Sequence, residues 1–124
     1  MKHILLYILI LSSIVMSQDQ FFVGTRPLGM GGAFIAVADD GNTITWNPAG
    51  LPRLRRKEFT SSYADLYAMN ITHSYAGVVW PFGDRIAIGV DWSNIGFDDQ
   101  ELNYSENKLN FSLGYQPFKM LSLG

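Results

Sequence analysis

The chain contains no cysteine. That removes a disulfide scaffold, a zinc–thiolate site and a thiol-linked lipid anchor from consideration. Charge is scarce as well: Asp, Glu, Lys and Arg make up 16% of the 124 residues, against roughly 25% in ordinary soluble domains. Only two histidines occur, His3 and His73, too few and too far apart for a metal cluster or a histidine-based triad. The net charge is −2 and the one tight basic run is Arg53, Arg55, Arg56 and Lys57. A lone run of this kind after a turn belongs on a solvated face or at a lipid-headgroup boundary, and the overall balance argues against nucleic acid as a partner.

Long apolar runs are missing too. The longest covers residues 4–15, behind Lys2 and His3 and ahead of the polar Ser17, Gln18, Asp19 and Gln20. A membrane-spanning helix needs about 20 apolar residues, so this run reads as a secretory signal peptide over residues 1–17, cut before Gln18. Nothing later in the sequence resembles a transmembrane helix, and the mature protein is expected to be exported.

What is present is hydrophobic and aromatic: 48% of residues are hydrophobic, with 8 Phe, 6 Tyr and 3 Trp alongside 12 Gly. From residue 57 onward the apolar residues alternate with period two, the strand signature. Leu109, Phe111, Leu113 and Tyr115 share one face, and Lys108, Asn110, Ser112, Gly114 and Gln116 the other. Ile86, Ile88, Val90 and Trp92 alternate in the same way with Ala87, Gly89, Asp91 and Ser93. The pattern predicts strands over 57–66, 70–82, 85–96 and 108–118, and a fifth over 121–124. Pro81-Phe82 and Pro117-Phe118 close two copies of a hairpin repeat spaced by about 36 residues, each Pro at a strand end where a lost N–H is tolerated.

Alternation alone does not separate a soluble sandwich from a membrane barrel. Three features favour the barrel. The strands are longer than the usual 5 to 6 residues and match the roughly 9 to 11 that cross a bilayer at a tilt. Aromatics gather at strand ends, Trp80, Phe82 and Phe118 at one and Trp92, Phe97 and Tyr104 at the other, as interface girdles do. Residues 82–85 make a tight turn, whereas residues 96–107, with Asp98, Asp99, Glu101 and Glu106, read as a long polar loop. Five strands cannot close in lipid, where the smallest barrels have about eight. The chain is therefore expected to be a fragment of a larger barrel.

Ahead of the strands, residues 24–51 are rich in glycine. Gly29-Met30-Gly31 lacks the third glycine of the dinucleotide fingerprint, because Phe34 stands there, and no Gly-Lys-Ser/Thr of a P-loop occurs. Asp39-Asp40-Gly41-Asn42 reads as a turn, and Asn47 before Pro48 can cap the chain. Asp39, Asp40, Asp91, Asp98 and Asp99 are read as solvated loop carboxylates, since no 12-residue calcium loop accompanies them. No catalytic constellation and no cofactor or metal site emerges.

The segment Leu28-Gly29-Met30-Gly31-Gly32-Ala33-Phe34-Ile35-Ala36-Val37-Ala38-Asp39-Asp40, followed by Trp46-Asn47-Pro48-Ala49-Gly50-Leu51, resembles the FadL-like outer-membrane barrel superfamily, and within it the PorV/PorQ-type proteins. The likeness is strong to Leu51 and rests on pattern beyond it. It implies an all-β fold: an antiparallel transmembrane β-barrel preceded by a hatch over residues 18–56, with strands from 57 to 124. Gly29, Gly31, Gly32, Asp39, Asp40, Asn47, Pro48, Ala49 and Gly50 would shape or gate that hatch, the glycines by close packing in a crowded lumen. The resemblance further implies an outer-membrane location with lipid as a partner. Its functions are protein secretion of the type IX kind, with exported protein as cargo, or passage of hydrophobic small molecules such as long-chain fatty acids. A soluble periplasmic β-sandwich binding module is the reading from outside the family.

Overall fold

A computed structural model describes residues 23–98 and 103–124; the expected leader lies outside them. Five strands, β1 (Glu58–Leu66), β2 (Ile71–Phe82), β3 (Ile86–Asp98), β4 (Asn103–Phe118) and β5 (Leu121–Leu123), form one antiparallel sheet in chain order. Each strand pairs with its sequence neighbour, so the sheet is a simple meander of hairpins. The β2–β3 turn over 83–85 is tight, as expected, with Gly83 at φ 68° supplying the left-handed residue. The β1–β2 turn uses the same region without glycine, at Tyr67, Ala68 and Asn70.

Register sorts the side chains into two faces. Val79 lies opposite Gly89, which lies opposite Ser112; Gly77, Asp91 and Asn110 form the next such row, and Tyr75, Ser93 and Lys108 the one after. Apart from Val79 and Tyr75, this face is small or polar. On the other, Trp80 lies opposite Ile88 and Ile88 opposite Leu113, with Val78, Val90 and Phe111 in the next row. That face is apolar.

The N-terminal residues cover only the polar face. They form four short pieces: α1 (Thr25–Gly29), a 3-10 turn at Ala33–Ala36, α2 (Thr43–Trp46) and a second 3-10 turn at Pro48–Arg53. Local chemistry keeps each piece short. Asn47 caps the second 3-10 turn by accepting from the Ala49 N–H at 3.2 Å, and Pro48 starts it where a missing N–H costs nothing. Pro52, Gly31 and Gly32 break any longer helical run. No helix of the described residues is long and apolar enough to cross a membrane. Ile44, Leu51 and Leu54 pack against Val79 and Ala87 of the sheet, and Phe34, Ala38 and Trp46 make a second cluster within the segment.

Two expectations about the strands are corrected. Residues 96–107 are not a long loop, because β3 runs on to Asp98 and β4 begins at Asn103, with Gly96 paired to Ser105 and Phe97 to Tyr104. Polar composition suggests a loop, yet a ladder needs only backbone pairing. Here the polar side chains bridge the strands, Asn94 Nδ2 donating to Ser105 Oγ at 2.9 Å and to Asn107 Oδ1 at 3.1 Å. Phe97 and Tyr104, expected to join Trp92 in a girdle, lie on the opposite face from it. Each stands five residues from its apolar-face neighbour, Trp92 or Leu109, and an odd offset reverses the face.

Candidate functional site

The junction between the N-terminal segment and the sheet is built on glycine. Ile44 on α2 sits over Gly89, where an added Cβ would lie 2.6 Å from Ile44 Cγ1, and the Pro48 carbonyl sits as closely over Gly114. The small residues of the polar face therefore form the floor on which α2 and the following turn rest. Gly50 repeats the arrangement inside the segment, since a Cβ there would stand 2.5 Å from the Ala38 carbonyl oxygen.

Polar groups close the same junction. Asp91, 1% exposed in β3, accepts from Thr45 Oγ1 at 3.0 Å and from Asn110 Nδ2 at 2.8 Å. Thr45 belongs to the segment and Asn110 to β4, so one buried carboxylate ties both to β3. Ser112 Oγ also donates to the Ile44 carbonyl at 3.0 Å. Burying a carboxylate is costly unless hydrogen bonds replace water, and these two side chains supply them. Asp91 is thus not the loop carboxylate expected from composition.

At the far side of the segment, Arg26 bonds Asp39 and, at 2.8 Å, Asp40. The guanidinium holds the Asp39 carboxyl below the ordinary carboxylate range through that hydrogen bond, and the pair raises Arg26 in turn. Arg26 also lies 5.5 Å over the Phe34 ring, which meets Trp46 edge-on at 6.2 Å. The Trp46 indole N–H donates to the Val23 carbonyl at 2.8 Å. Asp40 Oδ1 accepts from the Asn42 N–H at 2.8 Å, closing the expected turn, and Asn47 Nδ2 reaches the Ile35 carbonyl at 3.0 Å.

The expected hatch residues thus divide by role. Asp39, Asp40, Asn47, Pro48, Ala49 and Gly50 take part in these contacts. Gly29 and Gly31 do not pack closely, since a Cβ at either meets nothing within 4 Å; Gly31 and Gly32 serve the backbone instead, at φ 62° and 82°. The pattern did not single out Arg26, Ile44, Thr45 or Asn110. Asp91 was legible only as a member of the polar face of β3. Among the described residues, no group of three His, Cys, Asp or Glu side chains is placed to hold a metal ion.

The apolar face carries no covering element among the described residues. Phe111 is 74% exposed and Phe59 71%, and Trp80, Phe82, Ile88, Trp92, Leu109 and Leu113 are exposed beside them. From Ile86 to Trp92 the band runs about 20 Å along the strand at about 3.3 Å per residue, and the next rows on that face are polar, at Asn94 and Asn107. Trp92 marks this boundary, its indole N–H donating to Asn107 Oδ1 at 3.2 Å. At the other boundary Lys57 Nζ stands 3.4 Å over the Trp80 ring. A bulge between Tyr115 and Phe118 adds one residue to β4 and returns Phe118 to the apolar face. Trp80, Phe82, Trp92 and Phe118 consequently share one face.

No protein-family model, no curated protein and no solved structure matches the chain.

Proposed function

We propose that this chain builds part of the wall of an outer-membrane β-barrel, with residues 18–56 as a hatch lodged on its lumenal face, and that the barrel serves protein export in the manner of PorV/PorQ-type proteins. One observation carries the membrane part: the polarity of the sheet is inverted relative to a soluble protein. The face covered by the chain itself holds Asp91, Ser93, Ser112 and glycines beside the buried Tyr75, Val79 and Ala87, while the uncovered face holds Phe, Trp, Leu and Ile in bulk. In water a contiguous patch of this kind marks an interaction surface; in lipid it is the required surface. Trp92 and Trp80, each with a polar partner at an edge of the band, suit the two interfaces.

The export part draws on the resemblance of residues 28–40 and 46–51 to the PorV/PorQ-type proteins. Passage of hydrophobic small molecules is the second reading. It draws on the polar seating of the hatch, where Thr45 bonds Asp91, Ser112 bonds the Ile44 carbonyl and Arg55 bonds Asp84 across to the wall. A seat that is polar in part suits a hatch that rearranges.

The test uses the full-length protein in outer-membrane fractions, run boiled and unboiled on a denaturing gel. A heat-shifted membrane band supports the barrel, and co-purification of a secreted protein's carboxy-terminal domain supports export. Loss of long-chain fatty-acid uptake on deletion, with secretion intact, favours the transport reading. A monomer soluble without detergent overturns both and favours the periplasmic sandwich.

A further inference from the structure

Charge is segregated along the strands. Six of the nine Lys and Arg residues, Arg53, Arg55, Arg56, Lys57, Arg85 and Lys119, lie at the end of the sheet that carries the β2–β3 and β4–β5 turns. Asp84 and Glu58 are the acidic residues there. The opposite end presents Asp65 and Glu106, with Lys108 bound to Glu106 at 3.2 Å.

Between the two turns of the basic end lies a cleft of about 410 Å³, lined by Arg55, Asp84, Arg85, Gln116, Phe118 and Lys119 among others. Arg55 is held in place by Asp84 at 2.7 Å. Gln116 ties the two turns together, its backbone N–H donating to the Arg85 carbonyl at 2.8 Å and its side-chain amide to the Lys119 carbonyl at 3.2 Å. Arg85 and Lys119 have no ionic partner among the described residues, so the cleft holds two unneutralised cations on a braced backbone.

We infer that this cleft binds a phosphate-bearing lipid headgroup of net negative charge. The chemistry is that of any phosphate: a guanidinium offers paired donors to phosphate oxygens and an ammonium adds a point charge. The position selects the lipid. The cleft adjoins the rim of the apolar band, with Phe118 in its lining and Phe82 beside the adjoining turn. Lys57 over Trp80 lies at the same level, where cationic and aromatic residues meet headgroups. The inference rests on the reading that the open face meets lipid.

The experiment reconstitutes the full-length protein into phosphatidylcholine vesicles with or without about a third of phosphatidylglycerol, and reads the fraction carried with the vesicles by flotation. The wild type is expected to enter both, with a gain on the anionic vesicles. A cation near an anionic surface contributes a factor of about five, so Arg85→Gln with Lys119→Gln should cut that gain by about tenfold or more while leaving entry into neutral vesicles unchanged. Lys108→Gln, which removes one charge at the other end, should leave the gain intact. An undiminished gain in the double variant, or an equal loss in Lys108→Gln, overturns the cleft assignment alone. Inorganic phosphate at matched ionic strength should lower the gain by competing for the same donors; phosphate binding to the detergent-solubilised protein that the double variant loses, while its gain on anionic vesicles stays undiminished, assigns the cleft to soluble phosphate and overturns the lipid source. Failure of the wild type to enter neutral vesicles overturns the membrane reading itself.

Discussion

The two faces of the sheet come from the same strands, residue by alternate residue, yet they are built on different rules. On the covered face, chemistry is local and specific: Ile44 over Gly89, Thr45 on Asp91, Ser112 on a carbonyl. On the open face large side chains stand exposed across all five strands, and specificity appears only at the rims, at Trp92 and Trp80. A face that must recognise one segment is built from fitted small and polar groups. A face that must only be apolar is built from bulk.

The comparison breaks most sharply at Leu51, fully buried against the sheet. Leu51→Ala should cost about 2–5 kcal/mol by leaving a cavity, read as earlier proteolysis of the N-terminal segment and a lower unfolding midpoint. On the open face Phe111→Arg should cost about 2–4 kcal/mol if lipid faces it, and almost nothing if water does, since Phe111 is already 74% exposed. Denaturant titration of the reconstituted protein against Phe111→Ala separates the two.

Asp91→Ala leaves Thr45 and Asn110 without their acceptor and should cost about 1–3 kcal/mol. Asp91→Asn should recover much of that by keeping one acceptor oxygen, whereas an equal loss in both would mean that the charge itself matters. The smallest effect belongs to Asp39. Its carboxyl is held low by Arg26, so its contribution is fully present above the ordinary carboxylate value near about 3.9 and is lost as pH falls through the lower folded value. Between pH 5 and pH 8, on the order of the neutral range, protease release of the N-terminal segment should not change on this account; below about pH 4 it should rise, and Arg26→Gln should remove that dependence.

Much of the sheet was legible in the sequence because period-two alternation is a local property. Strands expected over 70–82 and 85–96 begin and end within a residue or two of Ile71–Phe82 and Ile86–Asp98. The error at residues 96–107 has a physical cause: side chains such as Asn94 and Asn107 support pairing through amide hydrogen bonds while looking like loop. Reading those residues as loop also grouped Phe97 and Tyr104 with Trp92, although parity along paired strands assigns them to the other face. In the N-terminal segment only the Asn47–Pro48 cap and the Asp40 turn, both within two residues, were readable. Thr45 and Asp91 lie 46 positions apart, and Ser112 and Ile44 lie 68 apart; no local pattern announces such pairs. Gly29 and Gly31 were expected to pack closely, and their open surroundings show that a glycine's role depends on the neighbour the fold brings to it.

The most direct measurement uses the three tryptophans, Trp46, Trp80 and Trp92, as reporters of the two environments. The full-length protein, with all its other tryptophans replaced by Phe so that one of the three remains in each variant, is reconstituted into vesicles carrying bromine on the acyl chains, and its fluorescence is compared with that in unbrominated vesicles. The account predicts strong quenching of Trp80 and Trp92 on the open face and little quenching of Trp46, buried in the N-terminal segment. Equal and weak quenching of all three would contradict it and would mean that the apolar face is covered by protein rather than by lipid.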